Sequence, residues 1–186
     1  MSETTRLVTA EELERFPSDD WRYELVAGRL IQMSPTALPH GIVVARVLSI
    51  LHRHAEANNL GVVVPEVGFK LASNPDTVRA PDVAFLRRDR IPARKGFVDG
   101  PPDLAVEVLS RDDRPGEVRA KIEDYLTSGV LLVLAIDPDD LTATIHRRLT
   151  PPITLSGDDV IDLDDILPGF RCSVQEIFER REPRRV

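Results

Sequence analysis

Two short apolar runs decide the fold of this chain, RAPDVAFL at residues 79–86 and PDLAVEVLS at residues 102–110. Each is rich in aliphatic residues and bounded by proline or charged residues, a pattern that predicts a buried β-strand. Each run also contains one carboxylate, Asp82 in the first and Glu107 in the second, where a core strand would carry a hydrocarbon. Buried charges are usually paired or bound to metal, so the two acids indicate a shared cation.

The polar loop between the two runs allows the strands to lie side by side with both acids at one end. Mg²⁺ prefers one or two carboxylates, waters and substrate phosphates to a closed protein cage, and it can orient water for attack on phosphorus. A lysine often assists such chemistry, and the nearest lysine downstream is Lys121, in the next predicted helix. Two simpler interpretations stay open at this point: Asp82 as a turn or cap residue, and the acids as parts of a structural salt bridge.

Size and composition indicate one globular domain. The chain has 186 residues, of which 42% are hydrophobic and 30% charged, enough for a real core. No apolar run approaches the roughly 20 residues of a transmembrane helix. The N-terminal residues lack a signal-peptide pattern, and the single cysteine, Cys172, allows no internal disulfide. We therefore expect a cytoplasmic protein that does not contact membranes, with Cys172 as an inert side chain.

The formal net charge of −7 argues against a broad nucleic-acid-binding surface, because phosphate contacts require Lys and Arg. Basic residues do cluster at residues 87–95 and in the tail at residues 180–185. For the tail, the pattern favours a solvated terminus. For residues 87–95, which follow the Asp82 strand, a solvated loop and a basic cleft beside the site both stay open.

Hydrophobic periodicity and turn residues predict the remaining elements. Helices are predicted from a capping box at Thr9 to just before Pro17, at about residues 39–58, from Pro115 to Ser128, and at residues 173–180. Strands are predicted at residues 22–26, 29–33, 61–66, 68–72, 78–86, 104–109, 130–136, 142–147, 153–155 and 160–163. This order predicts an α/β fold, a mixed β-sheet flanked by helices, in a single domain at residues 1–182 followed by a short tail at residues 183–186.

Across residues 8 to 179 the chain resembles the PD-(D/E)XK nucleases and, more narrowly, the Uma-two family of bacterial "putative restriction endonucleases". The stretches around Asp82 and Glu107 match the nuclease signature. The likeness continues at Tyr23–Val26 with Gly28, at His40, at Lys121 with Tyr125, at Gly129–Val130, at Asp137–Pro138 and at Leu167–Phe170. The chain departs from the family pattern at Ala27, Arg29, Arg111 and Leu131–Leu134, and none of these departures removes Asp82, Glu107 or Lys121.

The resemblance implies a restriction-endonuclease-like fold and a Mg²⁺ site on Asp82 and Glu107, which Mn²⁺ could also fill. The backbone carbonyl of Val108 would face the metal, and Lys121 would replace the usual strand lysine and orient the attacking water. Glu24 would be an additional catalytic acid from the N-terminal segment. The implied activity is that of a Mg²⁺-dependent endonuclease, a phosphodiesterase acting on nucleic acid, with DNA as the expected substrate and a homodimer as the expected assembly.

Other interpretations of these residues stay open. Glu24 could be an exposed acid on a hairpin, paired with Arg22 or Arg29. Lys121 could form a helix-surface ion pair with Glu117, four residues earlier, where the acid stands on the favourable N-terminal side. For the whole protein, the competing hypothesis is a catalytically inactive nuclease-fold module used for binding or assembly.

Three histidines lie in the long predicted helix. His40 is expected to cap or pack at the start of this helix. His52 and His54 stand two apart and so face different directions, which argues against a joint metal site.

Overall fold

The computed structural model describes residues 6–16, 22–93 and 95–179. In this part of the chain the helices are α1 (Ala10–Leu13), α2 (Leu38–Ala57), α3 (Pro115–Ser128) and α4 (Val174–Phe178), with one 3₁₀ turn at Arg88–Arg90. The strands are β1 (Arg22–Val26), β2 (Arg29–Met33), β3 (Gly61–Val64), β4 (Phe69–Ala72), β5 (Thr77–Arg79), β6 (Val83–Arg87), β7 (Val98–Asp99), β8 (Leu104–Val108), β9 (Leu132–Asp137), β10 (Thr142–His146), β11 (Ile153–Ser156), β12 (Val160–Asp162) and β13 (Arg171–Ser173). No helix within the described ranges has the length and apolar character needed to cross a membrane.

The main sheet has the strand order β11-β10-β9-β8-β6-β3 and is mixed. Its central strands β8 and β9 are parallel, while β6 pairs with β8 and β10 pairs with β9 in antiparallel fashion. A parallel pair needs a long crossover, and α3 supplies it. The predicted α/β class, with a mixed sheet flanked by helices in a single domain, is confirmed.

The two longer helices cover opposite faces of β8. Val106 packs in the same buried cluster as Val43 and Val47 of α2. Its neighbour Ala105 packs instead with Tyr125 of α3. Since successive side chains of a strand point to opposite faces, the sheet is a layer between α2 and α3. The first turn of α2 and the second turn of α3 lie near the carboxyl end of β8.

A second sheet, in the order β2-β1-β5-β4-β7, packs around α1 and carries Glu24 on β1. The single strand predicted at residues 78–86 is therefore wrong, because β5 belongs to this sheet and β6 to the main one. Pro81 has no N–H for a ladder, and the Asp82 side chain accepts a hydrogen bond from the backbone N–H of Val108 at 2.7 Å. The chain leaves one sheet and enters the other at this point, and Asp82 stands at the junction.

Most other predicted elements appear within one or two residues of their predicted positions. The β1–β2 hairpin turns at Ala27 and Gly28 as expected, and Gly129, in a left-handed conformation, ends α3. Cys172 is buried, and burial raises the pKa of its thiol to about 12, which is consistent with an inert side chain. The first helix ends at Leu13, before the predicted end at Phe16, and the last helix ends at Phe178, before the predicted end at Arg180. The tail at residues 183–186 lies outside the described residues.

The basic segment after β6 lies at the opposite end of the strand from Asp82. Arg87 and Arg90 contact the fully buried carboxylate of Asp103, at 2.9 and 2.8 Å. At about 3.3 Å per residue, the length of β6 separates this cluster from Asp82 by roughly 15 Å. The interpretation of residues 87–95 as a basic cleft beside the site is thus wrong for Arg87 and Arg90, which neutralise Asp103. Arg94 lies outside the described residues.

Candidate functional site

Asp82 links the start of β6 to the end of β8. Its Oδ2 accepts the hydrogen bond from Val108 N–H, and the Nε2 atom of His40 lies 3.4 Å from the same oxygen. Oδ1 accepts no hydrogen bond from any described residue, and 14% of the side chain is exposed. The interpretation of Asp82 as only a turn residue is wrong, because it holds two strands together and keeps one oxygen available.

Glu107 is the penultimate residue of β8 and is buried. Two residues of α3 hold its carboxylate: Tyr125 donates its hydroxyl hydrogen to Oε1 at 2.7 Å, and Lys121 donates to Oε2 at 2.9 Å. Lys121 and Tyr125 are four residues apart on one face of the helix, so both reach the same acid. Burial raises the pKa of Glu107 to about 7, the nearby charge of Lys121 opposes this rise, and the charges of Asp82 and Glu24 add to it.

Lys121 is shared between two acids. Its Nζ lies 2.9 Å from Glu107 Oε2 and 3.2 Å from Glu24 Oε1. Burial lowers the pKa of this ammonium, but Glu107 and Glu24 raise it by more, so Lys121 stays charged at neutral pH. The alternative in which Lys121 forms a surface ion pair with Glu117 is wrong, because Glu117 pairs with Arg114 at 3.2 Å.

Glu24 is buried and is anchored by a second cation. Arg79 donates to its Oε2 at 2.7 Å and also contacts Asp124 of α3 at 2.6 Å, while the N–H of Ala80 donates to Oε1 at 3.0 Å. Burial raises the pKa of Glu24, yet Lys121 and Arg79 together lower it by more, so the net pKa is below the usual range. The alternative interpretation of Glu24 as an exposed hairpin acid is therefore wrong, and Arg22 pairs instead with Glu66.

His40 lies in the first turn of α2 and is buried. Of the two expected roles, packing at the helix start is confirmed by this burial, whereas capping is wrong because no described side chain caps this helix. Its hydrogen bond with Asp82 raises the pKa of the imidazole, and burial opposes that rise by a smaller amount. Its Nδ1 atom is buried and has no hydrogen-bond partner among the described residues.

The structure thus brings together every residue that the sequence singled out for the site: Glu24, Asp82, Glu107, Val108 and Lys121. Val108 takes part through its N–H, and its carbonyl as a metal ligand stays a prediction. Three contributors were missed: Arg79, Asp124 and the hydroxyl of Tyr125. The spacing from Lys121 to Tyr125 could have indicated the tyrosine, whereas no local pattern shows that Arg79 bridges β5 and α3.

The residues present fit a small divalent cation bound through few protein ligands. Two carboxylates, Asp82 and Glu107, lie close enough for the charge of one to raise the pKa of the other, and Asp82 Oδ1 is available. Within the described ranges, no group of three or more His, Cys, Asp or Glu side chains has the arrangement of a metal site. Carboxylate oxygens such as these two are the kind of ligand that an open Mg²⁺ or Mn²⁺ site completed by water and substrate uses.

Comparison with known proteins agrees with this fold. The model of the family Uma2, described as "Putative restriction endonuclease", matches residues 10–175. A crystal structure of "a putative nuclease belonging to DUF820" from Anabaena variabilis superposes with a TM-score of 0.81 at 20% identity, covering 92% of this chain and 97% of that one. At this identity the likeness establishes the fold. No curated protein gives a significant match to the chain.

Proposed function

Because the chain belongs to the Uma2 family, whose description is "Putative restriction endonuclease", we propose that it is a metal-dependent phosphodiesterase that hydrolyses nucleic acid, with DNA as the expected substrate. One observation carries the proposal. A buried lysine, Lys121, contacts the buried carboxylates of Glu107 and Glu24 near a third carboxylate, Asp82, one oxygen of which accepts no hydrogen bond from the described residues. A fold stabilised by burial alone has no need of such a cluster, since apolar residues of similar volume usually serve stability as well or better.

Asp82 and Glu107 would hold Mg²⁺, together with the carbonyl of Val108. When bound, the ion would neutralise charge that develops on the phosphoryl group and orient a water. The protein fixes both acids in advance: Val108 N–H holds Asp82 Oδ2, and Tyr125 holds Glu107 Oε1. Such preorganisation lowers the cost of reorienting charged groups during the reaction.

Lys121 would act as a fixed positive charge and hydrogen-bond donor near the phosphoryl group. Because its pKa is raised, it enters the reaction protonated and does not serve as a general base. Glu24 keeps the ammonium beside Glu107 from the side of β1, and Arg79 and Asp124 hold Glu24 in turn. In this role Glu24 is a positioning acid that links the second sheet to the site.

A second candidate is a nuclease-fold module without useful turnover. The observation that favours it is the location of Arg87 and Arg90, which neutralise Asp103 far from Asp82 and so leave the site without this basic cluster. An inactive module has no requirement for divalent metal, whereas the proposed enzyme cannot work without it.

The test is cleavage of supercoiled DNA, single-stranded DNA and RNA by the purified protein with Mg²⁺ or Mn²⁺, with and without chelator. Lys121→Met should eliminate metal-dependent cleavage, and Glu117→Gln, a change to an exposed acid four residues earlier on the same helix, should leave it unchanged. Cleavage that persists in chelator, or full activity of Lys121→Met, would overturn the assignment. Metal binding without cleavage of any substrate would support the inactive module.

A further inference from the structure

His40 stands at the point where α2 meets the end of β8. It belongs to the first turn of a 20-residue helix, and its side chain is 9% exposed. The Nε2 atom lies 3.4 Å from Asp82 Oδ2, which is within reach of an ion pair when the imidazole is protonated and longer than a typical charge-assisted hydrogen bond. The resemblance and the proposed reaction use Asp82, Glu107, Val108, Lys121 and Glu24, and leave this histidine without a role.

The two oxygens of Asp82 differ in their surroundings. Oδ2 faces two donors, the N–H of Val108 at 2.7 Å and Nε2 of His40 at 3.4 Å. Oδ1 has no donor within the described part of the chain. A carboxylate held at one oxygen from a strand and from a helix cannot rotate freely, so the free oxygen keeps one direction.

The other ring nitrogen of His40 indicates that packing does not explain this residue. Nδ1 is buried without a hydrogen bond to any described residue. An unpaired buried polar atom costs about 1–3 kcal/mol, and an apolar side chain of similar size would avoid that cost. Unsatisfied buried groups are rare in native proteins, and a functional role is one explanation for such a group.

We propose that His40 is a positioning residue for the metal site, which holds Asp82 through Nε2 so that Oδ1 is presented to the divalent cation. This inference rests on the proposed function, because it assigns a role toward the same ion. In this role the first turn of α2 fixes the position of the imidazole relative to β6 and β8. Groups that orient a metal ligand in this way typically change metal affinity about 10–100-fold when removed.

Direct ligation by His40 is the competing role. Mg²⁺ and Mn²⁺ prefer oxygen ligands, and the nitrogen of His40 that faces the site is already directed at Asp82. A positioning role keeps the imidazole bonded to Asp82 when the cation is present, whereas ligation requires that contact to break.

Three substitutions separate these possibilities. His40→Gln places an amide donor near the position of Nε2, His40→Asn places one near the position of Nδ1, and His40→Leu keeps bulk without any donor. His52→Gln is the matched control, since His52 lies on the same helix but is 54% exposed and pairs with Glu56. Thermal melts of each variant in chelator show that the fold is retained.

The Mn²⁺ affinity of each variant, measured by titration calorimetry on the full chain, tests the positioning role. We expect His40→Gln and His52→Gln to bind Mn²⁺ within about threefold of the unmodified protein, and His40→Asn and His40→Leu to bind about 10–100-fold more weakly. Unchanged affinity in His40→Leu would overturn the positioning role while leaving the proposed function intact. A loss in His40→Gln as large as in His40→Leu would overturn it as well.

Electron paramagnetic resonance of bound Mn²⁺ supplies a second readout that does not depend on affinity. The positioning role predicts no directly coordinated nitrogen in the unmodified protein. A strong nitrogen coupling that disappears in His40→Leu would make His40 a ligand and overturn the inference. Failure of the unmodified protein to bind Mn²⁺ would overturn the proposed metal site together with the inference.

Discussion

The Nζ atom of Lys121, on helix α3, lies 2.9 Å from Oε2 of Glu107, on strand β8. The helix begins soon after the strand ends, which brings its second turn back over the carboxyl end of the strand. A flexible four-carbon side chain then reaches the acid. The lysine of the proposed site is thus supplied by an element that follows the strand rather than by the strand itself.

Lys121→Met should destabilise the fold, because it leaves Glu107 and Glu24 buried without their shared cation. Removing one partner of a buried ion pair typically costs about 3–5 kcal/mol. Urea unfolding in chelator would measure the loss. Glu117→Gln on the exposed side of the helix should change stability by less than about 0.5 kcal/mol. Equal stability of Lys121→Met and the unmodified protein would mean that this network is not formed.

Glu107→Gln should stabilise the metal-free protein at pH 8. Burial raises the pKa of Glu107 to about 7, above that of an unfolded glutamate, so the native state loses stability as pH rises from about 4.5 through 7. The amide has no charge to bury, and Lys121 keeps Glu24 as its partner. Melting curves across this range should converge near pH 4 and separate by several degrees at pH 8. A variant that melts lower than the unmodified protein at pH 8 would contradict this prediction.

Tyr125→Phe should cost about 2 kcal/mol, because it removes the donor to Glu107 Oε1 while keeping the ring in its packed position. The pKa of this hydroxyl is raised well above its usual value, first by burial and then by the charge of Glu107, so the phenol is a donor at every working pH. Chemical denaturation measures the free energy of unfolding of the variant. Phe85→Leu, in the buried cluster that also contains Val106, serves as a control for the effect of lost packing. No change in stability would mean that the hydroxyl hydrogen bond contributes nothing.

Asp103→Asn should alter acid stability without altering cleavage. Burial raises the pKa of Asp103, but the backbone N–H of Arg87 and the side chains of Arg90 and Arg87 lower it by more. An acid with a lowered native pKa stabilises the fold above its unfolded pKa, near 4, and this contribution disappears as pH falls through the native value. The unmodified protein should therefore lose stability more steeply below pH 4 than the variant does. Loss of cleavage in the variant would contradict the separation of this cluster from Asp82.

Local patterns were enough to predict the helices, the hairpin and the strands of the main sheet. They were also enough to identify Asp82 and Glu107, because a carboxylate inside an apolar run can be recognised in the sequence without knowing which strands pair. The break at Pro81 was missed, because apolar residues continue on both sides of it and the sheet to which each half belongs depends on distant partners.

Residues that act through long-range contacts could not be found in this way. Arg79 bridges Glu24 and Asp124, which are far apart in sequence, and no spacing rule joins the three. Asp103 has the same Pro-Asp context as Asp82, yet it serves the opposite end of the sheet. Only the antiparallel pairing of β6 with β8 separates their roles.

A crystal structure of the protein soaked in Mn²⁺ is the decisive test of whether Asp82 and Glu107 share one divalent cation. We expect one anomalous peak within coordination distance of Asp82 Oδ1 and of the Glu107 carboxylate, with Lys121 still beside Glu107. Asp82→Asn should remove this peak without unfolding the protein. The absence of a peak at these acids under saturating Mn²⁺, or a peak bound to other residues, would show that Asp82 and Glu107 do not share a cation.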